Sequence, residues 1–196
     1  MTFPNNVLLG HTIEQALELA TQNGDVRGVA LANANLSGFF ELEGDEERAI
    51  SLLARAREGA RVAGDVYLIA TVAAALAQLR LRRGETAEAA ADISESIRLS
   101  GSIDDTHTLA ETLAIAADVL GARGDADTAT LLFGCCAAVR AAHELSFKSY
   151  ERDPIEERAA VARETLGERF DDTWSHGTEL ELRPAVELAL AALAHA

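Results

Sequence analysis

The sequence predicts an all-α fold, an α-α superhelix of helical hairpins with a period of about 40 residues and extra C-terminal helices. Three observations carry this prediction. Gly44-Asp45, Gly84-Glu85 and Gly124-Asp125 recur forty residues apart, and a fixed period of this size marks a stacked repeat. Each pair introduces the same columns: Ala49, Ala89 and Ala129; Leu53, Ile93 and Phe133; then Ala56, Ser96 and Cys136. The chain is 48% hydrophobic with many Ala, and only three Pro interrupt it, which suits close-packed helices.

The columns assign the elements in order. Before each turn, Leu36, Leu76 and Ala116 form an apolar column and Ser37, Ala77 and Ala117 a small one. Spacings of three and four put the columns after the turn on one helix face. Small residues there let two helices approach closely while the large ones fill the space beside them. Gly accepts the left-handed turn and Asp can cap the helix that follows. Gly24-Asp25 and Gly64-Asp65, at the half period, mark the junctions between hairpins. The units are residues 26–63, 66–100 and 105–143, preceded by a half unit at 7–23, so the repeats occupy 1–143. Ile13 and Ala16 stand forty residues before Leu53 and Ala56, so the rhythm opens on a second helix without its first. A solenoid unit cannot bury its apolar face alone. The expectation is that Ile13, Leu17 and their neighbours are uncovered. The chain is then a piece of a longer protein, or a partner or a second copy covers that face through a homodimer at the N-terminal helix. Residues 144–196 form a C-terminal helical cap of the same body.

The unit from Asn35-Leu36-Ser37-Gly38-Phe39-Phe40 through Gly44-Asp45-Glu46-Glu47-Arg48-Ala49-Ile50 to Leu53 and Ala56 resembles the tetratricopeptide repeat. Phe40 takes that family's aromatic place on the first helix, with Arg80 and Leu120 there in the next units. The family's unit is about thirty-four residues, so this one is about six longer, which implies longer helices. HEAT and armadillo repeats have periods nearer forty but lack this Gly-Asp turn with its following Ala. The resemblance covers roughly residues 6 to 143.

A second resemblance lies beyond the repeats. Leu131-Leu132-Phe133-Gly134 to Arg140-Ala141-Ala142-His143 is followed by Tyr150 and a charged helix from about Pro154. Then come Leu166-Gly167-Glu168-Arg169-Phe170, Trp174, Gly177, Leu180, Leu182 and the amphipathic Ala185-Val186-Glu187-Leu188-Ala189-Leu190. This order resembles the C-terminal end of large bacterial signal-responsive transcriptional regulators of the LuxR type and the antibiotic-regulatory-protein type. The resemblance implies a regulatory part of such a protein, a sensor or docking surface. Arg183-Pro184 stands where acidic residues usually open the last helix, and the chain has neither a Walker-type phosphate loop nor a recognisable DNA-reading helix pair.

Charge and composition exclude other classes. The net charge of −15, with 32 acids against 17 bases, opposes direct nucleic-acid binding, which draws its affinity from Lys and Arg replacing phosphate counterions. Arg80, Arg82 and Arg83 read as a last-turn cluster that complements the helix dipole. No apolar run is long enough to span a bilayer, and the N-terminus lacks a signal-peptide pattern. Two adjacent Cys are no secreted disulfide framework. The expectation is a cytoplasmic protein without membrane contact.

Chemistry-bearing residues read as structural. Cys136 shares the small column of Ala56 and Ser96 and is expected to be buried. Cys135 aligns with Arg55 and Glu95, so it is expected to face solvent, where a redox or ligand-sensing role is open to it. His11, His107, His143, His176 and His195 form no metal-ligand spacing. His143 shares a face with Cys135, more than two turns away, too far for a nucleophile and its base. Glu46-Glu47, Asp104-Asp105 and Asp171-Asp172 sit at predicted helix starts, where negative charge suits the dipole. The reading is of a non-enzyme with no catalytic residue, cofactor or metal.

The surface assigned to binding is the inner face of the first helices, as the repeat resemblance implies. It comprises Leu31, Ala34, Gly38, Glu41 and Leu42 in the first unit, then Thr71, Ala74, Gln78, Leu81 and Arg82, then Glu111, Ala114, Asp118 and Ala122. A small and apolar floor with acidic edges suits a protein or peptide with apolar anchors and some positive charge. A small-molecule effector filling the space above the short side chains is the alternative, as is a standalone homodimeric scaffold.

Overall fold

Every turn of the repeat is built the same way. Gly24, Gly44, Gly64, Gly84 and Gly124 all have positive φ, between 66° and 90°, a conformation that costs Gly least. The next residue's amide then donates to the carbonyl five residues back, as in Asp45 to Phe40 at 2.8 Å and Asp65 to Ala60 at 2.9 Å. This closes the preceding helix in a Schellman arrangement. The carboxylates of Asp25, Asp45, Asp65 and Asp125 accept from the amides of Gly28, Arg48, Leu68 and Thr128 at 2.8 to 3.0 Å and start the next helix. Glu85 keeps the cap backbone but makes no side-chain cap bond; its longer carboxylate pairs with Arg83 at 2.8 Å instead.

The computed structural model describes residues 4–103, 106–142 and 155–195, apart from the side chains of residues 4–8 and 156. Asp104-Asp105, His143, Tyr150 and Pro154 lie outside them. The described residues are helical throughout, joined by short turns. Helix α1 is Pro4–Gln22, and three hairpins follow: α2 Val26–Leu42 with α3 Glu46–Ala63, α4 Val66–Arg82 with α5 Thr86–Ser102, and α6 Thr106–Ala122 with α7 Ala126–Ala142. Helices of seventeen or eighteen residues account for the long period. The last elements are α8 Ile155–Arg158, α9 Ala160–Leu166, a 3-10 turn Gly167–Arg169, α10 Phe170–Thr178 and α11 Leu182–Ala194. Pro184 falls in the first turn of α11, where its missing N–H removes no helical bond.

The hairpins close on small residues. Ala30, Ala70 and Ala110, one repeat apart on the first helices, are all buried. Opposite them, Ser96 Oγ donates to the Ala70 carbonyl at 2.8 Å, and Cys136 Sγ stands 3.3 Å from that of Ala110. Ala56, in the same column, is buried as well. A side chain that touches the opposing backbone holds the helices at close range.

The core has two parts. One joins Ala30, Leu36, Phe40, Leu52, Leu53, Val72 and Leu76 across α2 to α4, with Ile13 and Leu17 of α1 packed against it. The other joins α4 to α7 with Ile155, Ala162, Leu166, Phe170, Ala185, Ala189 and Leu193 of the C-terminal helices. Those helices therefore belong to the body of the third hairpin. Their docking depends on Gly134 of α7 and Gly177 of α10, whose backbones cross closely. A Cβ on Gly134 would stand 2.6 Å from the Trp174 carbonyl oxygen, and one on Gly177 would stand 2.4 Å from that of Leu131.

Two outcomes follow from these contacts. Glu85→Asp restores the missing cap and raises stability by about 1 kcal/mol, a Tm increase of roughly 2–4 °C; an unchanged Tm would show that this helix start gains nothing from a side-chain cap. Gly177→Ala forces α10 off α7 and costs about 1–3 kcal/mol. Trp174 is the one Trp of the chain, so a red shift of its emission reads the undocking, whereas unchanged emission and Tm would refute the close crossing.

Candidate functional site

The fourteen inner-face residues divide by hairpin. In the first, Leu31 and Leu42 are 42% and 72% exposed, Gly38 and Glu41 are exposed, and Ala34 is half-buried. This stretch of α2 is open. In the second, Gln78 and Arg82 are exposed, while Thr71, Ala74 and Leu81 are half-buried, with Ala74 and Leu81 packed against the larger core. In the third, Ala114 is buried and forms core rather than floor. Asp118 is engaged by the Arg158 guanidinium of α8, and Ala122 remains exposed at the helix end. Arg123, just beyond it, donates to the Leu193 carbonyl of α11 at 3.1 Å. The C-terminal helices thus contact the third hairpin where the sequence expected open groove, because α8 and α11 bury their apolar residues in its core.

The expected acidic edges are partly engaged within the protein. Arg82 Nη2 lies 2.6 Å from Glu41 and its Nε 3.4 Å from Glu46, tying α4 to the first hairpin. Glu111 lies 3.6 Å from His107 on its own helix. What the inner face offers is therefore an apolar strip on α2, with Arg82 of α4 paired to Glu41 near its end.

A concavity lies at the N-terminal end, between α1 and α2. It is an open groove of about 500 Å³ lined by Thr12, Ala16, Leu19, Ala20, Gly28, Leu31 and Asn35 among others. The expectation that Ile13 and Leu17 stand uncovered is corrected by the packing of α1. Ile13 and Leu17 are half-buried against the first hairpin, whereas Leu9 and Leu19 are 49% and 59% exposed. The signal lay in the column arithmetic, which puts Leu9 with Ala49 and Leu19 with Gly59 and Leu99.

Cys135 corrects the sequence reading. It is fully buried, because α10 and the segment after it cover that side of α7, and its Sγ stands 3.3 Å from the Leu180 carbonyl. Alignment with Arg55 and Glu95 failed there because the first two hairpins carry no such covering helix. Burial pushes the Cys135 thiol up to about 11, and it pushes the fully buried Cys136 up as well. Both are thiols at neutral pH, and the thiolate is the reactive form.

Asp92 is the other buried ionisable group. It takes the column of Leu52 and Leu132 and is nearly inaccessible. Arg57 holds it at 2.8 Å from α3, and Arg80 holds it from α4. Burial raises its pKa, and the two guanidiniums oppose that. Among the described residues no group of three or more His, Cys, Asp or Glu is placed to hold a metal ion. No helix of the described residues is long and apolar enough to cross a membrane.

The thiols give a direct check. At pH 8 a thiol-specific reagent should label neither Cys in the folded protein and both in urea; rapid labelling of one equivalent without denaturant would show that Cys135 is accessible.

No protein-family model, curated protein or solved structure matches the chain.

Proposed function

We propose that the chain is a non-catalytic protein-interaction module, and that its inner face takes a peptide or helix with apolar anchors. The observation that carries this reading is the open strip on α2, where Leu31 and Leu42 stand exposed and Glu41 between them is held by Arg82 of the next hairpin. Exposed apolar residues grouped on one helical face are a usual means of capturing an apolar segment. Glu41 at the rim is already paired with Arg82, so that carboxylate itself adds little attraction for positive charge in the partner. The likeness of residues 35–56 to tetratricopeptide repeats, and of the order from Leu166 to Leu190 to the ends of LuxR-type regulators, supports a docking or sensing role within a bacterial transcriptional regulator in the cytoplasm. On that reading DNA contact belongs to other parts of the regulator, since a net charge of −15 repels phosphate.

Selection of displayed random peptides against the protein tests this. Enriched sequences should carry two or more apolar anchors and bind about tenfold more weakly to Leu42→Asp and to Gln78→Arg. Enrichment of nothing, or of peptides that bind both variants equally, would defeat the inner-face assignment.

A further inference from the structure

Six ion pairs gather at one junction of the solenoid. Arg27 reaches Asp65, the cap of α4, and Arg82 reaches Glu41 and Glu46, so α4 is tied to α2 and to the first turn of α3. Arg57 reaches Asp92 and Glu95, and Arg61 reaches Glu95, so α3 is tied to α5. All six join the first hairpin to the second. The second and third hairpins meet differently: Ile93 and Ile97 share one apolar core with Leu113 and Leu132.

The apolar cores divide at the same junction. Among the described residues, none of α5 belongs to the first core and none of α1 to α3 to the second. Helix α4 contributes to both, with Leu68, Val72, Leu76 and Leu79 in the first and Ala77 in the second. The columns give the reason. Arg57 stands where Leu17 and Ile97 stand one repeat away, and Asp92 where Leu52 and Leu132 do. The contact that would carry an apolar core from α3 to α5 is ionic instead.

We infer that the first hairpin rocks against the second about the apolar α3–α4 contact, and that the ion pairs are two latches on either side of this hinge. The latches respond unequally to salt. Arg82, Glu41 and Glu46 are exposed at more than a third of their side-chain surface, and salt screens pairs of that kind. The Asp92 side chain is 5% exposed, and a pair so placed is screened much less. Raised salt therefore opens the α2–α4 side while the α3–α5 side holds, a hinge motion rather than a separation. General repulsion does not compete at this junction. Residues 26–63 hold six acids and five bases and residues 66–102 four of each, so the net charge of −15 lies mostly elsewhere in the chain.

The test uses pairs of spin labels on the full chain, read by dipolar broadening of the continuous-wave electron paramagnetic resonance spectrum. Gly38→Cys with Gln78→Cys reports on α2 and α4, and Ser51→Cys with Ala91→Cys on α3 and α5. All four positions are exposed, a Cβ on Gly38 meets nothing within 4 Å, and the two native Cys are buried. Between about 0.05 and about 1 M NaCl the 38–78 pair should lose broadening, its weakly coupled component growing about fivefold, while the 51–91 pair stays unchanged. Arg82→Gln, a change at an exposed position, should show the weak 38–78 coupling already at low salt and respond no further. A 38–78 coupling that ignores salt would overturn the hinge, as would an undiminished salt response in Arg82→Gln. Equal loss of coupling at both pairs would overturn it too, since the hairpins would then part without a pivot. None of these readouts depends on what docks on the α2 strip.

Discussion

Close approach of two helices at small residues is the constraint on which the rest of the structure depends. Ala30, Ala70 and Ala110 on one side, and Ala56, Ser96 and Cys136 on the other, leave backbone and Cβ as the contact surface. Helices this close demand a tight connection, and a positive-φ Gly followed by a capping acid supplies it with few residues. Once the turn is fixed, seventeen-residue helices return the chain to the same level after forty residues, and the next hairpin meets an identical surface. The large residues Leu53, Ile93 and Phe133 then fill whatever space the small ones leave. A larger residue at position 30, 70 or 110 would separate the pair and lose dispersion contacts along the whole crossing.

Ion pairs repeat the same period on the outside. Arg27 reaches Asp65, Arg61 reaches Glu95 and Arg82 reaches Glu41. Each joins residues roughly one repeat apart, so each bridges neighbouring units. Exposed pairs of this kind contribute about 0–1 kcal/mol, too little to hold the solenoid together, but they favour one stacking register over a shifted one. Asp92 is the exception in cost. In a column that is Leu in the other two complete hairpins it must be desolvated, and Arg57 and Arg80 together make the site tolerable. A buried charge satisfied from two other helices penalises any packing of α3, α4 and α5 that separates them, which fits a role in specifying register.

How far the sequence reveals this depends on whether a residue repeats. The hairpins, their turns and the burial of Cys136 are legible because column equivalents at offsets of forty vote together. Ala30, Ala70 and Ala110 are identical at that offset, and their alignment alone marks the crossing. Cys135, Gly134 and Asp118 were not legible in this way. Their environment comes from α8, α10 and α11, which have no counterpart in the earlier units. Gly134 sits where Ala54 and Ser94 stand outside the core, and nothing in the repeat says that α10 will lie across it. The inner face suffers the same limit: its first-hairpin half is as open as the columns imply, and its third-hairpin half is closed by residues outside the rhythm.

The two ends of the solenoid are therefore chemically unlike, and α2 is where that difference acts. At the C-terminal end the last hairpin is buried by added helices through the Gly134–Gly177 crossing. At the N-terminal end the described part of α1 packs mainly on α2, and in a one-dimensional stack each unit's stability comes from its own packing and its neighbours'. Leu31 lines the N-terminal groove and also belongs to the exposed strip of the inner face. A substitution at Leu31 therefore alters both surfaces, whereas Leu42 belongs to the strip alone.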